Sequence, residues 1–227
     1  MAWVEFSLAL GLFFVSHRIP AVMGIKAPLT AALGPRGYTV LFSLISTALL
    51  FWVIFAAGRA PYVALWDHAL WHRWAVNIAM PLALALIVFG TAAPNPFAFE
   101  GRATGFDPTR PGIAGLTRQP LLWGLALWSG AHLLANGDLA HALLFGSFAL
   151  FSLAGMGLVE RRRACAIGPR DWHRLTAHSG LLPFAALFTG RWRPRALPSV
   201  WRTALWLLVW AGLWLLHAPV IGVTPAP

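Results

Sequence analysis

Six apolar stretches, at about residues 3–23, 39–57, 74–93, 121–136, 139–158 and 202–222, constrain this chain more than any other feature. Crossing a hydrocarbon core takes roughly 17 to 25 helical residues, and each stretch meets or nearly meets that length. In lipid, backbone polar groups must be satisfied inside the segment itself. The stretches therefore predict an all-α fold, a polytopic membrane bundle of about six transmembrane helices forming one domain over residues 1–227. Composition agrees, since 59% of residues are hydrophobic, only 11% are charged and the mean hydropathy is +0.68, outside the range of an ordinary soluble domain. Pro120 suits a first helical turn, and Asn136, Gly137 and Asp138 form a compact turn, so the fourth and fifth stretches predict a tight helical hairpin. Pro81 predicts a kink in the third. Glu5 stands where a secretory leader would be basic, which predicts a retained first helix.

A formal net charge of +10 would suggest nucleic acid in a soluble chain. Here the positions of the charges point to a bilayer and no nucleic acid. Of the 17 basic residues, 15 fall in alternate connections: Arg18, Lys26 and Arg36; Arg102, Arg110 and Arg118; and the run from Arg161 to Arg202. Arg59 and Arg73 are left for the other side. Orientation follows Lys and Arg in short loops, so both termini are expected outside a bacterial cytoplasmic membrane. Several tryptophans, among them Trp3, Trp66, Trp71, Trp123 and Trp201, fall near predicted span ends where an indole N–H stays wet. The connection from Pro94 to Pro120 reads as irregular chain. Leu181 to Thr189 is apolar but too short to span; it is expected at the interface or against the bundle, with Arg191 to Arg195 facing anionic headgroups.

The residue inventory excludes several chemistries. A single cysteine, Cys165, leaves no internal disulfide, no C-x-x-C site and no covalent C-x-x-C-H haem attachment. Seven carboxylates make a paired-carboxylate hydrolase or a hard-metal cage improbable. Ionisable groups inside spans are costly, which makes His17 and His132 the functional candidates. His132 lies roughly 14 to 17 Å below the surface at which its span begins, and His17 roughly 9 to 13 Å from the same side, at 1.5 Å per residue. Two imidazoles at like depth on different helices can clamp one metal from opposite faces, as axial ligands of a b-type haem do. The alternative is that each bonds a neighbouring helix and binds nothing. His68 and His72 have helical i,i+4 spacing but lack a third ligand beyond Asp67, and read as a wet interfacial turn. Solvation explains His141, His173, His178 and His217. Arg118 can bind a lipid headgroup or a haem propionate.

Thr117-Arg118-Gln119-Pro120-Leu121-Leu122-Trp123-Gly124 followed by Ala131-His132-Leu133-Leu134-Ala135-Asn136-Gly137-Asp138 resembles the NnrU family of bacterial membrane proteins. More distantly, the chain is similar to the plant zeta-carotene isomerases. His17 to Pro20, Gly34 to Ser46, and Pro183 to Ala186 with Gly190-Arg191 support the likeness, which covers nearly the whole length. The resemblance implies an association with denitrification and nitric oxide metabolism for the bacterial members, and haem b with an apolar polyene or other lipophilic substrate for the plant ones. The plant axial histidines fall on His17 and His132. Two departures are visible. Gln119 stands where the family has histidine, and Ser129 stands where the plant enzymes have a cysteine that offers an alternative iron ligand. Thr117-Arg118-Gln119-Pro120 with Glu160-Arg161 is also similar to membrane methyltransferases that use S-adenosylmethionine, which have a histidine at the Gln119 position and a glutamate pair where only Glu160 is present. Three functions follow as expectations: a haem b redox or isomerase-type protein, a non-catalytic factor supporting nitric oxide metabolism, and a methyltransferase.

Overall fold

The computed structural model describes residues 1–99 and 101–227, without the side chains of Arg18, Pro20, Ala21 and Val22. Among these residues the chain is helical, with no named strand: α1 (Ala2–Val22), α2 (Lys26–Arg59), α3 (Leu70–Gly90), α4 (Ile113–Leu116), α5 (Pro120–Ala135), α6 (Leu139–Ile167), α7 (Pro169–Thr176), α8 (Ala185–Phe188) and α9 (Val200–Ile221). Each of the six apolar stretches is one helix. Among the described residues α2, α3, α6 and α9 are long and apolar enough to cross a membrane, while α1 and α5 contribute shorter apolar helices. The chain forms a helical membrane bundle whose contacts divide into two units, Met1–Asp67 with Asn136–Leu144, and His68–Ala135 with Phe145–Pro227.

In the first unit α1 packs on α2. Trp52 Nε1 donates to Glu5 Oε1 at 3.2 Å, and Arg59 pairs with the same carboxylate, which gives Glu5 a structural role within an apolar helix. Gly34, at φ 72°, breaks α2 just before Pro35, so the helix starts earlier than the apolar run and turns once on the way. The Asn136–Asp138 turn forms as expected and docks on the chain after α2. Gly137 O accepts from Leu65 N at 2.7 Å and from Trp66 N at 3.2 Å, and Val63 O accepts from Leu139 N at 2.9 Å. A Cβ on Gly137 would stand 2.0 Å from Trp66 O, so only glycine allows this approach. Asp138 caps α6, accepting from His141 N at 3.2 Å and from His141 Nδ1 at 2.7 Å.

The second unit is centred on α3, which packs against both α5 and α9. Small residues let α3 and α5 approach closely: a Cβ on Gly124 would meet Ile87 Cγ1 at 2.6 Å and Ala83 O at 2.8 Å, and one on Gly90 would meet Pro120 Cγ at 2.5 Å. Polar side chains tie α9 to α3, as Trp206 Nε1 donates to Pro81 O at 2.8 Å and Trp214 Nε1 to Asn77 Oδ1 at 3.2 Å. Arg202 Nη1 donates to Val88 O at 3.0 Å and Phe89 O at 2.7 Å, satisfying carbonyls that the last turn of α3 leaves unpaired. The connection expected to be irregular carries α4 and an isolated bridge between Pro94 and Arg102. Within it Asp107 accepts from the Thr109 hydroxyl and amide, both at 2.8 Å, and these bonds hold its carboxyl below the usual range.

Candidate functional site

His17 lies on α1 and His132 on α5, in different units. Both helices treat their histidine in the same way. His17 Nδ1 lies 2.7 Å from Phe13 O and His132 Nδ1 lies 2.8 Å from Trp128 O, each four residues back along the helix. A carbonyl can only accept, so Nδ1 carries the proton and the lone pair of the neutral ring resides on Nε2. Histidines that ligate metals are oriented in this manner, their other ring N–H held by a carbonyl or carboxylate. The donor chemistry thus fits an iron-ligating imidazole at both positions.

Aromatic rings surround each one. His17 meets Phe13 at 4.6 Å and the edge of Phe42 at 5.3 Å between ring centroids. His132 meets Phe145 at 5.1 Å and Trp128 at 5.7 Å. His217, which the sequence places at a solvated span end, has its ring 6.5 Å from that of His132. Its Nδ1 lies 2.7 Å from Val223 O, so its tautomer is the same. Nothing in the sequence marks His217, because only the packing of α9 on α3 brings it there.

Ser129 is fully buried, and its hydroxyl donates to Leu125 O at 2.7 Å. It therefore serves the helix backbone. His68 uses both ring nitrogens: Nδ1 lies 3.1 Å from Ala135 O, and Nε2 accepts from Arg73 Nε at 3.1 Å. His72 accepts at Nδ1 from Ala69 N at 3.1 Å and caps the start of α3. The sequence predicts a wet turn here, yet His72 is 7% exposed, because capping draws its ring back over the helix beside Trp71. Among the described residues no group of three histidine, cysteine or carboxylate side chains is arranged to hold a metal.

A second polar cluster lies at the start of α5. Arg118 Nε donates to both oxygens of Glu160, at 3.1 and 3.0 Å, and Nη2 donates to Oε2 at 2.6 Å. The two side chains are only 14% and 12% exposed. Gln119 Nε2 donates to Glu160 Oε1 at 3.2 Å and to Phe97 O at 2.8 Å, while its own oxygen accepts from Phe99 N at 3.2 Å. The Arg118 guanidinium also lies over the Trp172 ring, 5.6 Å from its centroid. Fold packing thus joins the Thr-Arg-Gln-Pro segment to Glu160. The only sequence signal for that meeting is the joint occurrence of the two segments in the methyltransferase pattern.

A family model described as NnrU protein matches residues 5–225. No curated protein and no solved structure matches the chain.

Proposed function

The chain belongs to the NnrU family, and from that premise we propose that it is a membrane protein binding haem b through His17 and His132 in a redox role. The observation that carries this reading is the shared imidazole geometry: on both helices Nδ1–H is committed to the i−4 carbonyl, which puts the ring's lone pair on Nε2, the atom that would ligate iron. Haem b held by His17 and His132 would supply one-electron chemistry at iron, and two imidazole ligands would favour a low-spin iron. The protein's part is to fix both tautomers, to exclude water with Phe13, Phe42, Phe145 and Trp128, and to offer no competing thiolate. Ser129 supports a redox role over an isomerase one. Its hydroxyl donates to Leu125 O and supplies no thiolate, so a haem held by the two histidines would have no alternative ligand here, which favours electron transfer over a reaction that would need an opened coordination position. Absorption spectra of the detergent-purified protein test this. Low-spin, six-coordinate bands are expected in both the oxidised and dithionite-reduced forms, and a high-spin or five-coordinate reduced form would overturn the redox assignment.

The methyltransferase reading draws support from the meeting of Arg118, Gln119 and Glu160, but those contacts also weaken it. Both oxygens of Glu160 are occupied by Arg118 and Gln119, and there is neither a histidine at position 119 nor a second glutamate to receive an adenosyl cofactor. Calorimetric titration with S-adenosylmethionine is expected to give no binding heat; micromolar affinity would reverse the ranking.

The same reading puts both termini on the outer face of the cytoplasmic membrane, with Arg161 to Arg163 inside, because 15 of 17 basic residues share one side. A phosphatase fused at residue 227 is expected to be active and a green fluorescent protein fused there dark. The opposite pattern would refute the orientation.

A further inference from the structure

We propose that residues 181–195 form a preorganised platform that binds anionic phospholipid at the bilayer surface. The inference is independent of the haem assignment. One side of this segment is clamped to the bundle. Leu181 O accepts from the Thr117 hydroxyl at 2.7 Å and from Trp123 Nε1 at 2.9 Å, and Phe184 N donates to Leu116 O at 3.1 Å; within the segment, Trp192 N donates to Ala186 O at 2.9 Å and closes it on itself. Trp192 seats against Gly115, where a Cβ would stand 2.3 Å from its indole nitrogen. Ala186 is completely buried on this side.

The other side is apolar and cationic. Phe188 is 84%, Leu182 61% and Phe184 47% exposed, and Arg191, Arg193 and Arg195 are exposed beside them. Phe184 holds φ at 63°, a left-handed conformation that is uncommon for a bulky side chain. Strained backbone of this kind persists where the surroundings over-determine it and concentrates at functional positions. Here the bonds from Phe184 N to Leu116 O, and from Phe188 N to Phe184 O at 2.9 Å, fix a turn in which an aromatic side chain faces outward.

Helix ends set the level of the platform. The last turn of α3, capped by Arg202, and the first turns of α5 and α9 all lie at this end of the second unit, so the apolar-to-polar boundary of the bilayer passes here. Phe184, Phe188 and Leu182 then enter the acyl boundary, and the three arginines meet headgroup phosphates. The segment contains no carboxylate to compete with them.

The test uses the full chain in mild detergent, titrated with dioleoyl phosphatidylglycerol or dioleoyl phosphatidylcholine, with bound lipids counted by native mass spectrometry. The wild type is expected to prefer the anionic lipid by about tenfold or more, given the contribution of each arginine near a charged surface. R191Q/R193Q/R195Q is expected to bring the two lipids to parity, while R161Q/R162Q keeps the preference. Phe184→Gly relieves the left-handed strain and removes the ring, so it is expected to raise the unfolding temperature while lowering retention of both lipids. A wild type without preference, a triple variant that keeps it, an R161Q/R162Q variant that loses it equally, or a Phe184→Gly variant with unchanged retention would each overturn the proposal.

Discussion

Glu160→Ala is expected to destabilise the protein by about 3–5 kcal/mol, the cost of leaving a buried guanidinium without its carboxylate, and to leave little folded material in detergent. The reason lies in the sharing of that carboxylate. Arg118 donates three hydrogen bonds to it and Gln119 a fourth, so one substitution orphans a charge and an amide at once. Gln119 further bridges to Phe97 O and Phe99 N, so the loss extends to the connection that precedes α4. Arg118→Met with Glu160→Leu removes both charges and is expected to recover most of the lost stability, since a buried pair can be replaced by apolar groups at little cost. Fluorescence-detected size exclusion after a heating series measures both variants. A single variant as stable as the wild type would mean that the pair contributes nothing to the fold.

The apolar helices were legible because hydrocarbon thickness selects length and composition together: all six apolar stretches are helices, and four of these are long and apolar enough to cross a membrane. Their ends were less legible, for a physical reason that α6 and α2 illustrate. Hydropathy reports where lipid contact stops, whereas a helix continues as long as its backbone bonds do. So α6 runs on to Ile167 through Arg161, Arg162 and Arg163, beyond the end near residue 158 read from apolarity. Likewise α2 begins at Lys26, and the Gly34-Pro35 break is absorbed within it. Turn chemistry was readable where short-range residue types determine it, as at Pro120 and at Asn136-Gly137-Asp138. Long-range polar pairing was not. Arg202 reads as one more loop cation, yet it caps α3, because a C-terminal carbonyl of a distant helix leaves no mark near residue 202. For Arg118 the pairing with Glu160 is hinted at only by the joint occurrence of their two segments, and no residue spacing encodes the contact itself. His17 and His132 were legible as candidates from the cost of an ionisable group in an apolar stretch, but their common tautomer emerges only from the helix geometry that sets Nδ1 against the i−4 carbonyl.

That common tautomer makes the largest spectroscopic effect predictable. If Nε2 of His17 and of His132 are the iron ligands, removing either imidazole takes away one axial bond. Neither Ser129, bonded to Leu125 O, nor His68, whose two nitrogens are engaged with Ala135 O and Arg73, can supply the missing ligand from its present contacts. His132→Ala and His17→Ala are each expected to lose most of the haem or to leave it five-coordinate and high-spin. His68→Ala and His72→Ala are expected to keep the wild-type spectrum. His217 sharpens the comparison, since its ring lies near that of His132; His217→Ala is expected to shift the bands slightly while the haem stays low-spin and bound.

The absorption spectrum of protein purified from haem-replete cells, recorded for the wild type beside His17→Ala and His132→Ala, tests haem ligation most directly. A low-spin Soret band in the wild type that is lost or turned high-spin in both variants is the expected result. A wild type without a Soret band, or two variants that both retain the low-spin spectrum, would contradict it.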